Sequence, residues 1–225
     1  MFGAEHPVFT GLVSYRSVVD RSKLNLPNLD AFTKWWGPTP DLQIVTFPLN
    51  QGRETFVFAT TGQPSWTEES WTTQGDVNEL REVYRNFHPD ARRLLDACDS
   101  VMKSALYERE PLPRWSVGRV TLLGDAAHPM VQYIAQGAAM ALEDAICLGH
   151  CVGDCEGDFT AAFKRYLDQR LVRASRVQML SLMMDPINHA SGIARLVRND
   201  IFAGRSQEEH YNRLAWLYTK PAYVR

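Results

Sequence analysis

The 225-residue chain has no CxxC pair, no uninterrupted apolar run of membrane length, no large surplus of either charge and no low-complexity stretch. Each absence excludes something. Cys98 stands alone, and Cys147, Cys151 and Cys155 follow at four-residue steps. Three thiols on one helix face lack a fourth ligand and match no zinc pattern, so they read as free cysteines, buried or half-exposed. Lys plus Arg is 24 and Asp plus Glu is 26, a net charge of −2. That balance argues against nucleic acid as the main partner, because phosphate binding leaves a basic surplus. The most apolar stretch, 120–145, is broken by Asp125, His128, Gln132, Gln136, Glu143 and Asp144, so no membrane span is predicted. The opening MFGAEHPVF has neither the basic nor the apolar region of a signal peptide. Together with the free cysteines, this points to a cytoplasmic protein. With 45% hydrophobic and 11% aromatic residues, the composition is globular, and the length suits one large domain or two small ones.

The first third reads as β-structure. Residues 11–19 (GLVSYRSVV), 42–49 (LQIVTFPL) and 54–60 (ETFVFAT) are β-branched and aromatic, and the last two form a hairpin around Asn50–Arg53. Between strand and hairpin, a segment with Pro27, Trp35, Trp36, Pro38 and Pro40 reads as a short helix or loop. Residues 63–75 read as loop. Asp76 is a predicted N-cap, with Glu79 completing a capping box, for a helix to about Phe87. Asp90 is predicted to cap a second helix, and residues 101–109 to form a strand. The short apolar run 120–123 has the character of a strand buried on both faces. Gly137 opens a helix to about Val152, and a long helix starts at Asp158 or Thr160 and is interrupted at Asp185-Pro186. Helical patterning resumes over 190–202 and 207–218.

The chemistry is concentrated in 118–145, GRVTLLGDAAHPMVQYIAQGAAMALEDA. A carboxylate at the C-terminal end of a strand lies where open α/β sheets bind ligands. Gly124 allows close approach of a ligand or backbone, and Asp125 can accept hydrogen bonds from hydroxyls. Further on, Gln136-Gly137-Ala138 starts a helix with small residues, leaving its first amides accessible to negative charge. One loop would therefore join a hydroxyl acceptor to an anion-stabilising helix end. Taken singly, a Gly-Asp after a strand is an ordinary turn, and so is a helix that opens at glycine.

The whole string resembles the second FAD-binding motif of the class A flavoprotein aromatic hydroxylases. These include salicylate hydroxylase, 3-hydroxybenzoate 6-hydroxylase, 6-hydroxynicotinate 3-monooxygenase and, more distantly, 4-hydroxybenzoate hydroxylase. The family pattern, roughly GRVxLxGDAAH…QGxxxxxEDA, stands here almost complete. Residues 7–16 (PVFTGLVSYR) resemble the strand that enters the substrate domain of these enzymes, and 106–112 (LYEREPL) resemble the return to the flavin domain. The tail NDIFAGRSQEEHYNRLAWLY is similar to the salicylate and 3-hydroxybenzoate branch.

This resemblance implies a mixed α+β and α/β fold, a partial 4-hydroxybenzoate hydroxylase-like architecture. Residues 1–110 would be a substrate-binding β-sheet domain with two helices. Residues 111–155 would hold the returning FAD-domain strand, the Gly-Asp motif and a helix, and 156–225 the C-terminal helices. It implies FAD as cofactor, NADH or NADPH as reductant, O2 and a small aromatic substrate, and it allows a homodimer. By resemblance, Gly124 and Asp125 contact the ribityl chain, and Gln136, Gly137 and Ala138 offer backbone N–H groups to the flavin N1/O2 edge. Pro129 shapes the space beside the reactive ring, whereas His128 reads as structural rather than as a base. Gln132 and Tyr133 fall where the 3-hydroxybenzoate branch contacts the substrate phenol. Gln43 occupies the place of that branch's histidine base, and a glutamine cannot take up a proton near neutral pH. Trp35 and Trp36 read as core before pocket, and Glu143-Asp144 as capping and packing. The family's N-terminal GxGxxG unit is absent from the sequence, so the chain reads as a C-terminal portion that alone would not hold FAD tightly and would be inactive in isolation. The alternative is an inactive remnant or an interaction module that binds no FAD.

Overall fold

The computed structural model describes residues 3, 6–68, 70–219, 221 and 223. The chain forms two compact units, one of Phe9–Tyr107 with Asn188–Ala194, the other of Met1–Val8, Glu108–Ile187 and Arg195–Arg225.

The first unit is built on a six-stranded sheet. Its strands are β1 (Val8–Asp20), β2 (Thr33–Trp36), β3 (Gln43–Leu49), β4 (Glu54–Gly62), β5 (Thr73–Gly75) and β6 (Val101–Glu108), in the order β2-β3-β4-β1-β6-β5. Two helices, α1 (Val77–Val83) and α2 (Pro89–Asp96), cover one face. Strand alternation explains why. Val13, Tyr15, Val19, Ile44, Val57 and Ala59 point to that face and pack on Leu80, Tyr84, Leu94 and Leu95. Each fully buried Val, Ile or Leu among them contributes about 1.5–3 kcal/mol. The opposite face is mixed: Val45 and Phe58 are buried on it, the Phe47 and Phe56 ring centres lie 4.9 Å apart, and polar groups sit beside them. Antiparallel register sets Gln43 beside Thr60 and Thr60 beside Ser14, all buried. The Ser14 hydroxyl lies 3.2 Å from that of Ser104.

Several local expectations change. The Trp35-Trp36 segment is a strand, because its side chains alternate: Trp35 packs on the core, while Lys34 and Trp36 take the other face. Asp76 does cap α1, accepting from the Asn78 amide at 2.7 Å. Glu79 does not close a capping box; it pairs instead with Lys103 at 3.1 Å, an ammonium within reach on β6. The helix ends at Val83 rather than Phe87. The cap of α2 is His88, whose Nδ1 accepts from the Asp90 amide, with Pro89 at the first helical position, where no N–H is needed.

The second unit holds the two-residue strands β7 (Ser116–Val117) and β8 (Val120–Thr121). Its helices are α3 (Gly137–Asp154), α4 (Phe159–Met183), most of α5 (Asp185–Asn188), most of α6 (Gly192–Ala203) and α7 (Gln207–Tyr218). The expected doubly buried strand 120–123 is therefore corrected. Val120 is 55% exposed, and among the described residues β8 pairs only with β7. With one ladder partner, only the two residues facing it take up strand pairing. α3 buries Met140, Asp144, Cys147 and Cys151, a helical stripe that packs against α4. Trp115 lies 5.5 Å from Tyr166 and 5.2 Å from His128, ring centre to ring centre.

Candidate functional site

After β8 the chain makes a single 3-10 turn at Gly124–Ala126. The Gly124 carbonyl accepts from the amides of Ala127 at 2.8 Å and His128 at 2.9 Å, which closes the turn. Gly124 has φ +59°, and a Cβ built there would lie 3.1 Å from Ala141 Cβ on α3. Only glycine meets both the left-handed backbone and the close approach to the helix without strain. Asp125 is exposed, and its carboxylate has no partner among the described residues. A Cβ added to Gly137 would come within 3.8 Å of Asp125 Oδ1, so the carboxylate sits at the start of α3. Ala135, in the left-handed region at φ 53°, turns the chain into that helix. The N-cap residue is Gln136, whose side chain makes no capping bond. The first amides of α3 are therefore free to meet a ligand.

An acceptor and a row of donors thus converge over one loop. The arrangement can hold a molecule with hydroxyls on one part and an electron-rich heterocyclic edge on another. FAD fits these residues: Asp125 would accept from ribityl hydroxyls, and the amides near Gly137 and Ala138 would face the N1/O2 edge. The missing Cβ at Gly137 keeps the gap between them open.

The turn is held from below. Asp144 Oδ2 accepts from the Gly124 amide at 3.0 Å and lies 2.5 Å from His128 Nε2. Asp144 Oδ1 accepts from Arg170 Nε at 2.6 Å. His128, Asp144 and Arg170 are all buried. Glu143 accepts from Arg170 at 2.5 Å, from Arg173 at 2.7 and 2.8 Å and from the Tyr223 hydroxyl at 2.8 Å. Burial pushes the Asp144 carboxyl up, but hydrogen bonds and charge from His128 and Arg170 outweigh it and hold the group below the ordinary carboxylate range. Glu143 is likewise held low against burial, by Arg173, Tyr223 and Arg170. The pair therefore does more than cap and pack. Arg170 and Arg173 escape the sequence reading, because they lie on α4, 26 and 30 positions from the α3 carboxylates they meet, and no local pattern links them.

The remaining candidates divide between the units. Pro129 and Gln132 are half-buried, on the same loop as the turn. Tyr133 is buried and donates its hydroxyl to Asp185 at 2.8 Å; burial and that carboxylate raise its pKa. Gln136 is buried, with Nε2 3.5 Å from the Tyr218 hydroxyl. Gln43 belongs to the sheet unit, is 1% exposed, and its Oε1 has no hydrogen-bond partner among the described residues. On the same face, Lys34 Nζ donates to Asn188 Oδ1 at 3.1 Å, and burial lowers its pKa.

A family model described as "FAD binding domain" matches residues 10–178. The chain belongs to the FAD binding domain family. This FAD binding domain protein is 41% identical over 215 residues to 3-hydroxybenzoate 6-hydroxylase of Polaromonas naphthalenivorans (strain CJ2), covering 93% of the chain and 52% of that protein. It is 40% identical over 187 residues to 6-hydroxynicotinate 3-monooxygenase of Bordetella bronchiseptica, covering 80% and 48%. Among solved structures, a salicylate hydroxylase substrate complex superposes with TM-score 0.78 at 27% identity, over 99% of this chain and 57% of that one. The FAD binding domain protein thus spans about half the length of these relatives. The resemblance to flavin hydroxylases and the partial mixed fold are borne out. No helix among the described residues is long and apolar enough to cross a membrane.

Proposed function

We propose that this chain is the substrate-sheet and C-terminal portion of an FAD-dependent monooxygenase. The enzyme hydroxylates a small aromatic ring, with NADH or NADPH as reductant and O2 as co-substrate. The observation that carries this reading is the Asp125 carboxylate, without a partner among the described residues, beside the N-terminus of α3, which has no side-chain cap. FAD, when bound, supplies the redox chemistry that activates O2. The chain's own residues bind and orient. Asp125 accepts from hydroxyls of the cofactor, and the α3 amides favour negative charge on its ring edge. Pro129 shapes the adjoining space, and Gln132 and Tyr133 bear on the substrate side.

Gln43 Oε1, buried without a partner among the described residues, is suited to accept from a ring hydroxyl. As an amide it orients that hydroxyl and does not remove its proton. Lys34, half-buried on the same face with a neutral partner, suits a ring that also carries an anionic group. The relatives' names, hydroxybenzoate and hydroxynicotinate enzymes, accord with this substrate class. A cytoplasmic setting fits four cysteines that are all free.

The test is an FAD titration followed by quenching of flavin fluorescence. The 225-residue chain is expected to bind in about the micromolar range. Asp125→Asn, which removes a charge-assisted hydrogen bond, weakens binding by about 10- to 100-fold. Because Asp125 is exposed, its thermal midpoint stays put. No binding at roughly 100 μM, a Kd weaker than about −5 kcal/mol of binding free energy, would instead support the inactive-remnant or interaction-module reading.

A further inference from the structure

The buried cluster between α3 and α4 is more elaborate than packing requires. It contains two carboxylates, Glu143 and Asp144, and two guanidinium groups, Arg170 and Arg173, whose formal charges cancel. Had stability been the whole purpose, the cluster would close on itself, and an apolar set of equal volume would serve as well. It does not close on itself. Asp144 reaches out of the ion pair with one oxygen, Oδ2, to the Gly124 amide and to His128 Nε2. Those two contacts bracket Asp125: one lies immediately before it and one three residues beyond.

The other oxygen leaves the carboxylate no freedom. Oδ1 is taken by Arg170 Nε at 2.6 Å, and Arg170 is itself fixed through Nη2 to the Met140 carbonyl at 3.1 Å. Arg173 donates to the Trp216 carbonyl at 3.0 Å and the Leu217 carbonyl at 2.9 Å, which ties in the end of α7. Asp144 is on α3, seven residues past Gly137. The helix whose first amides form half of the candidate site therefore also carries the group that anchors the turn bearing the other half. A rigid helix sets the spacing between the two.

We infer that Asp144 is a positioning residue for cofactor binding. It pins Gly124 and His128 so that the Asp125 carboxylate is delivered to the start of α3, and Arg170 holds Asp144 in the one orientation that does so. The inference rests on the reading that Asp125 and the α3 amides hold FAD.

The experiment is a double-mutant cycle on the full 225-residue chain, with Asp125→Asn, Asp144→Asn and both together, read by FAD affinity and by hydrogen exchange of the Gly124 amide in 15N-labelled protein. Asp144→Asn is expected to weaken FAD binding by about tenfold or more and to speed Gly124 exchange by about tenfold or more, since the amide loses a charged acceptor. In the Asp125→Asn background, Asp144→Asn should add less than about twofold, because a residue acting through Asp125 has nothing left to position. Leu94→Ala, in the core of the sheet unit, controls for lost stability and should leave FAD affinity unchanged. If the two losses in affinity multiply, or if Asp144→Asn changes neither readout, the positioning role is overturned. Absence of FAD binding to the unsubstituted chain overturns the function proposed above; the Gly124 exchange then decides whether Asp144 still sets the turn. Should Asp144→Asn not fold, His128→Asn removes one of the two pins, keeps the Asp144–Arg170 pair, and is read by the same two measurements and the same outcomes.

Discussion

Gly124→Ala tests how tightly the site loop is coupled to its helix. Two costs arise. The residue has φ +59°, and an L side chain in the left-handed region costs about 1–2 kcal/mol. The new Cβ would meet Ala141 Cβ at 3.1 Å, a few tenths of an ångström too close, on a helix backbone that cannot readily retreat. Overpacking of this mild kind costs about 1 kcal/mol. The sum is about 2–3 kcal/mol, or a fall of about 4–12 °C in thermal midpoint for a chain of this length. A partner substitution separates the two costs. Ala141→Gly alone costs about 1 kcal/mol in helix propensity. Combined with Gly124→Ala, it removes the clash and leaves the backbone strain. The double variant should therefore be about 1 kcal/mol more stable than the two single losses predict. The assay is guanidinium unfolding of all four proteins, followed by tryptophan fluorescence. Additivity within about 0.3 kcal/mol would refute the contact, and an undiminished Gly124→Ala stability would refute the whole argument.

Two further outcomes are expected. Glu143 and Asp144 both have carboxyl pKa values depressed in the folded chain, so their contribution is fully present above the ordinary carboxylate value near 4 and is lost as pH falls through the lower folded values. The thermal midpoint should be level from about pH 7 to 5 and drop below about pH 4, and Glu143→Gln should flatten that acid slope while lowering the plateau; an unchanged slope in the variant would contradict the assignment. Cys98, Cys147 and Cys151 are buried, and burial raises their thiol pKa values, that of Cys147 to about 12; Cys155 is half-exposed. A thiol reagent at about pH 8 should label Cys155 rapidly and the other three only on unfolding, and fast reaction of Cys147 or Cys151 in the folded chain would refute the packing of α3 against α4.

Much of the architecture is legible where local rules act alone. The hairpin of β3 and β4 follows from two β-branched runs around a short polar loop, and α7 begins and ends where its pattern does, with Ser206 and Glu209 forming its capping box. Where a side chain has a choice of partners, local rules lose. Glu79 leaves the predicted capping box for Lys103, a residue 24 positions away. His88 caps α2 because Pro89 leaves its first position without an N–H. Trp35 and Trp36 fall among prolines and read as loop or helix, yet pairing with Ile44 and Gln43 makes them a strand.

For the site, the string from Gly118 to Ala145 by itself determined the family, the Gly-Asp turn and the helix that opens at Gly137, because those depend on residue type and order along one short segment. Only the tertiary structure decided what holds the turn in place. Asp144, Arg170 and His128 are 16 to 42 positions apart, and nothing local favours one pairing of charges over another. Burial does: once α3 packs on α4, Asp144 and Arg170 lose their water and must satisfy one another, and the carboxylate oxygen left over reaches the Gly124 amide.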